Sequence, residues 1–175
     1  AGLPPLQPQA RPDLQSDEAG FWRLADRAET ALQRAPTLIR DADLNRYVQS
    51  VVCKVAGPYC SDVRVYLVRA PGLNAGLLPN GVMQIQSGLL LRMRDEAQLA
   101  AIIGHELGHF VERHLADKAM RARVGSDIRA WITVLGQGVT LHEPEKGAAL
   151  LTALELRAFS RRQEEAADAF GLKQM

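Results

Sequence analysis

The stretch from Ala97 to His114, AQLAAIIGHELGHFVERH, constrains this chain more than any other. It holds no proline, and Leu99, Ile103, Leu107 and Phe110 recur at the 3.6-residue period of a helix with one buried stripe. On such a helix His105 and His109 are four residues apart, roughly 40° around the axis, so their imidazoles can converge on one ion. Two neutral imidazole nitrogens at that spacing suit zinc, and Glu106 projects beside them, close enough to take a proton from a water polarised there. Polar residues four apart also occur on solvated helix faces. Gly104 and Gly108 favour a site, because each costs a helix interior about 1 kcal/mol relative to alanine. A helix that keeps both needs another backbone or a ligand close on that side.

Catalytic zinc generally has three protein ligands and one open position, so a third ligand is required. His114 follows His109 by five residues and, on one continuous helix, points away from His105. The segment from Phe159 to Asp168, FSRRQEEAAD, is the better source and reads as a second helix. Ser160 and Gln163 have the spacing of a capping box, although the preceding LLTALELRAF run is equally compatible with a continuous helix. Glu164 and Asp168 share a face, and Glu165 lies about 100° away. One carboxylate can bind the metal while another accepts a proton from a ligand imidazole. Periodicity alone does not say which does which.

HELGH followed by SRRQEEAAD resembles the M48 family of zinc metallopeptidases. That family includes membrane-embedded CAAX proteases, HtpX-like and Oma1-like quality-control proteases, and bacterial periplasmic members. The likeness extends upstream through Asn74-Ala75, Pro79-Asn80-Gly81-Val82 and Gly88-Leu89-Leu90, similar to the family's edge-strand segment, and covers about Leu44 to Gly171. It implies an α+β fold, a mostly helical zincin-like metallopeptidase domain with a small β-sheet whose edge strand flanks the active-site helix. It further implies one Zn2+ per chain on His105, His109 and Glu164, with Glu106 as general base and Asp168 as the carboxylate behind a ligand histidine. The expected activity is zinc-dependent endopeptidase cleavage of unfolded or misfolded polypeptides. The expected location is the bacterial periplasm, at or near a membrane, with outer-membrane assembly components as further partners. A latent domain that binds clients or assembly partners behind an occluded cleft is the competing expectation, and hydrolysis of a non-peptide amide is a third.

Composition narrows the alternatives. At 175 residues, with 47% hydrophobic and 23% charged residues, the chain can bury a full core as one domain, expected over 16–175. A net charge of +1 and the lack of a basic stripe with interleaved aromatics give no reason to expect nucleic acid. The longest apolar runs fall short of the roughly 20 residues of a spanning helix, which sets the chain apart from the membrane-embedded branches. Residues 1–15 hold four prolines and no basic stretch leading into an apolar one, so they read as an extended arm rather than a signal peptide.

Two scaffold helices are predicted next. One starts at Ser16 or Asp17 and ends at Pro36, with Phe21, Leu24, Ala28 and Leu32 inward; the other runs from about Ala42 to Val55, with Leu44, Val48, Val51 and Val52 inward. Gly57-Pro58 stops the second. Cys53 and Cys60 flank that turn, and either two buried thiols or a disulfide fits them. The resemblance to periplasmic peptidases favours the bridge.

Asp62 to Arg69 alternates, with Val63, Val65 and Leu67 on one side, and reads as a strand; Val82 to Ile85 reads as another. Asn80-Gly81 favours a tight hairpin turn before it. A strand edge left free near the motif helix would hold an extended peptide through its backbone, with Asn74, Asn80, Val82 and Gln84 as candidate substrate contacts. Asn74 and Asn80 are equally compatible with plain turn roles. His142, in a glycine-flanked turn between Gly136 and Gly147, is a candidate inhibitory ligand or stabiliser of the reaction intermediate, or simply an exposed loop histidine. Arg161 is its rival for the oxyanion, against structural pairing with Glu165.

Overall fold

A computed structural model describes residues 3–122 and 159–174. Helix α1 spans Asp17–Arg34 and α2 spans Ala42–Ala56. Each begins on a side-chain cap, Ser16 accepting from the Ala19 N–H and Asp41 from the Leu44 N–H, as N-cap chemistry favours. Gly57, at φ 53°, ends α2 and opens a short 3-10 turn, Gly57–Asp62. Cys53 and Cys60 are bridged across it.

Three strands follow: β1 (Arg64–Val68), β2 (Ala75–Leu77) and β3 (Val82–Gln86), in the spatial order β1-β3-β2. β3 runs parallel to β1 and antiparallel to β2, so it is the central strand. Leu78 and Gly81 close the β2–β3 turn, where the Gly81 φ of 85° is one that side chains rarely adopt. A short helix α3 (Ser87–Leu90) leads to α4 (Glu96–Val111), which Asp95 caps by accepting from the Gln98 N–H. Helix α5 (His114–Ala122) and the last helix, α6 (Arg161–Gln174), complete the described elements.

Strand alternation explains the layers. Leu67, Met83 and Ile85 point to one face and meet Val48, Val52, Ile103 and Leu107 of α2 and α4, all of them essentially fully buried. Burying each such side chain stabilises the fold by about 1.5–3 kcal/mol. On the opposite face Val68 and Val82 meet Ala25, Ala28 and Leu32 of α1. That face also carries Arg64 and Tyr66, both bonded to the Glu29 carboxylate of α1 at 2.7–2.8 Å.

Several details depart from the sequence reading. The buried stripe of α1 is rotated toward Ala19, Trp22 and Ala25, leaving Phe21 and Leu24 half-buried. Leu44 is exposed, and β2 lies in a segment expected to be turn. The segment ahead of α1 also makes tertiary contacts that the sequence reading did not specify. Leu6 is buried, its N–H donates to the Val111 carbonyl at 2.7 Å, and its carbonyl accepts from the Tyr59 hydroxyl at 2.9 Å.

Candidate metal centre

Helices α4 and α6 pack backbone against backbone, and the glycines are the reason. A Cβ on Gly108 would meet the backbone of Ala167, and one on Gly104 would meet Gly171. This contact brings Glu164 and Asp168 over His105 and His109. Ser160 and Gln163 start α6 as a reciprocal cap, the Gln163 Oε1 accepting from the Ser160 N–H at 3.0 Å and the Ser160 hydroxyl from the Gln163 N–H at 3.4 Å.

Three ligand atoms converge. His105 Nε2 and His109 Nε2 are 3.1 Å apart, and Glu164 Oε2 lies 3.3 Å from the first and 3.4 Å from the second. Tetrahedral zinc with bonds of roughly 2.0–2.1 Å separates its ligands by about 3.3 Å, so this triangle fits the ion. The donor set, two imidazole nitrogens and one carboxylate oxygen, is compatible with zinc as well.

The remaining imidazole nitrogens are held from behind. Asp168 Oδ1 is 2.7 Å from His105 Nδ1, and His114 Nδ1 is 3.0 Å from His109 Nδ1. Both Nε2 atoms are thereby turned toward Glu164. His109 and His114 are buried, whereas the Asp168 carboxylate is largely exposed. Burial pushes His114 below the ordinary imidazole pKa, outweighing the upward pull of Glu112 and Asp117. Phe159 stacks on His109 with ring centroids 4.1 Å apart and planes at 23°.

His114 thus does not lie on the far side from the pair, as a continuous helix would place it. α4 stops at Val111, and Arg113, at φ 55°, breaks the helix before α5. Sequence reading missed this contact, and missed Phe159. Neither has a motif, and only the unusual break between α4 and α5 reveals the first.

Glu106 lines a cleft together with His109, Trp22, Leu77, Pro79, Phe110 and Phe159. Its walls are mostly apolar. The other expected contacts are dispersed. Asn80 is 3% exposed, with its amide donating to Asp26 Oδ1 at 2.8 Å and its carbonyl oxygen accepting from the Val82 N–H. Val82 is fully buried, and Gln84 sits mid-strand with β3 paired on both sides. Asn80 is therefore a turn residue here, and neither Val82 nor Gln84 has strand backbone left over for a peptide. Asn74 precedes β2, the outer strand beside α4, and its carbonyl accepts from the Gln86 N–H. Arg161 is almost fully exposed and pairs with Glu165 at 3.2 Å, away from the ligand triangle's own contacts. His142 lies outside the described residues.

Comparison with known proteins agrees with this geometry. The sequence profile of Peptidase family M48 matches residues 38–175. The beta-barrel assembly-enhancing protease of Escherichia coli (strain K12) is 27% identical over 152 residues, covering 81% of this chain and 31% of that protein. The mitochondrial metalloendopeptidase OMA1 of Arabidopsis thaliana is 35% identical over 109 residues, 62% of this chain and 21% of that one. The mitochondrial metalloendopeptidase OMA1 of Homo sapiens is 42% identical over 71 residues, 39% of this chain and 14% of that one. The chain spans under a third of the length of these relatives. Matched over most of its length, and with two histidines and a glutamate converging where the family's motifs fall, the chain belongs to peptidase family M48.

Proposed function

We propose that this chain is the catalytic domain of a zinc-dependent endopeptidase that cuts unfolded or flexible polypeptides. The observation that carries the reading is the ligand triangle of His105, His109 and Glu164, with Glu106 next to it in a mostly apolar cleft. One zinc per chain held there would polarise a peptide carbonyl and make water a nucleophile near neutral pH. Glu106 is the proton carrier: its carboxylate takes the proton of the attacking water and delivers it to the departing amine. Asp168 orients His105 by accepting from its Nδ1–H.

Substrate would enter as an extended chain along β2, the outer strand that packs against α4. Pairing through backbone reads little side-chain identity, so selection falls on unfolded or flexible segments. Asn74, immediately before β2, is the expected substrate contact that retains this placement. The Cys53–Cys60 bridge favours an oxidising compartment, and among the described residues no helix is long and apolar enough to cross a membrane. With the name of the Escherichia coli relative, these point to the bacterial periplasm and to outer-membrane assembly components as partners.

Metal analysis combined with cleavage of casein tests the reading. The expected result is one zinc per chain, proteolysis of casein, loss with a chelator and recovery on adding zinc. A chain that holds zinc between His105 and His109 yet leaves casein intact would favour the latent, client-binding alternative. A chain that takes up no zinc would overturn the metal centre itself.

A further inference from the structure

We propose that His114 is the positioning residue of the metal ligand His109, and that the half-buried ion pair between Glu18 and Arg113 places it there. The inference rests on the zinc reading above. An imidazole that binds a metal through Nε2 keeps its proton on Nδ1, and an acceptor at that proton fixes both the tautomer and the ring orientation. For His105 the acceptor is a carboxylate. For His109, the Nδ1 of His114 lies at hydrogen-bond distance, 3.0 Å from its own Nδ1.

Two Nδ1 atoms at that separation share one proton. With His109 Nε2 in the ligand triangle, the proton resides on His109 Nδ1, His114 Nδ1 accepts it, and the proton of His114 sits on Nε2. The two ligand histidines are therefore backed differently. His105 leans on an exposed carboxylate, and His109 leans on a buried imidazole.

The placement of His114 depends on the break after α4. Arg113 adopts a left-handed backbone, which side chains rarely occupy without outside support. That support comes from the N-terminal part of the chain. The Arg113 guanidinium donates to both oxygens of Glu18, which is 6% exposed, and to the Pro4 carbonyl at 3.2 Å. Pro4 and Glu18 lie ahead of the family match, which begins at residue 38. Residues outside the matched span thus hold the turn that aims a ligand.

The test measures zinc affinity by chelator competition and the visible spectrum of the cobalt-substituted protein for wild type, His114→Leu and His114→Asn. The asparagine amide can place a carbonyl oxygen near the position of Nδ1 and accept the same proton. His114→Leu should weaken zinc roughly 10-fold to 100-fold and alter the cobalt spectrum. His114→Asn should recover most of the affinity and the wild-type spectrum. Equal affinity in wild type and His114→Leu overturns the inference, as does equal weakening in both variants. Nitrogen-15 spectra of the zinc-loaded wild type decide the matter even if the leucine variant does not fold. A proton on His109 Nδ1 and none on His114 Nδ1 supports the assignment, and the reverse overturns it. Glu18→Gln should weaken zinc in the same direction by several-fold, and unchanged affinity removes the ion pair from the proposal. A wild-type chain that binds no zinc defeats the metal-centre reading as a whole, an outcome distinct from these.

Discussion

A Cβ placed on Gly108 would lie 2.5 Å from the Cα of Ala167, closer than real side chains approach a backbone. Ala167 is fully buried and sits between Glu164 and Asp168 on α6, so the two helix backbones touch where the ligands converge. The obstacle is backbone, which cannot swing aside as a flexible side chain would.

Gly108→Ala should therefore push α6 away and carry Glu164 with it. Overpacking costs about 1–3 kcal/mol, against about 1 kcal/mol regained from helix propensity. The expected outcome is modest loss of thermal stability and a larger loss of zinc affinity. Gly20→Ala is the contrast, since nothing lies within 4 Å of a Cβ there and α1 continues through it. It should stabilise the protein by up to about 1 kcal/mol and leave zinc untouched. Equal effects of the two substitutions on metal binding would contradict the close-packing account.

Glu106→Gln should retain zinc and lose nearly all hydrolysis, because Glu106 stands outside the ligand triangle and its assigned task is proton transfer. Zinc content by elemental analysis and casein cleavage on the same preparation check both halves. Halved zinc content, or turnover like that of wild type, would remove the general-base role.

Asp168→Ala should weaken the site roughly 10-fold to 100-fold in zinc affinity or activity, since the carboxylate contacts His105 Nδ1 and not the ligand triangle. His105→Ala is the reference for complete loss. If Asp168→Ala is as damaging, Asp168 is itself a ligand and Glu164 is the supporting group.

These residues were legible because helical periodicity converts sequence spacing directly into position. His105 and His109, and likewise Glu164 and Asp168, are four apart, and the glycines of α4 signal the close helix partner before that partner is known. His114 was not legible for the opposite reason. Its position depends on where α4 stops, and neither glycine nor proline marks the turn at Arg113, whose left-handed backbone is held by Glu18, 95 residues away. β2 escaped because Ala75-Gly76-Leu77 is too short to alternate, and its strand conformation comes from pairing with β3. The roles expected of Asn80 and Val82 rested on an edge strand, but tertiary pairing makes β3 the central one.

Acid should weaken the packing of α1 on the sheet through Glu29. The Arg64 guanidinium holds the Glu29 carboxyl below its usual pKa, with help from the Tyr66 hydroxyl and against the upward effect of burial. A carboxylate whose folded pKa is depressed contributes stability that is fully present above its unfolded value, roughly 4.3, and is lost as pH falls through the folded value. Arg64 is 40% exposed, which screens the two-pronged pair and limits its contribution to on the order of 1 kcal/mol at neutral pH. Glu29→Gln should therefore melt a few degrees below wild type at pH 7, and the gap should narrow as pH falls from the unfolded value through the depressed folded one. Thermal unfolding of both proteins across that range is the measurement. A gap that stays constant down to pH 3 would mean that the glutamate acts through shape and hydrogen bonding alone, with its charge contributing nothing to the fold.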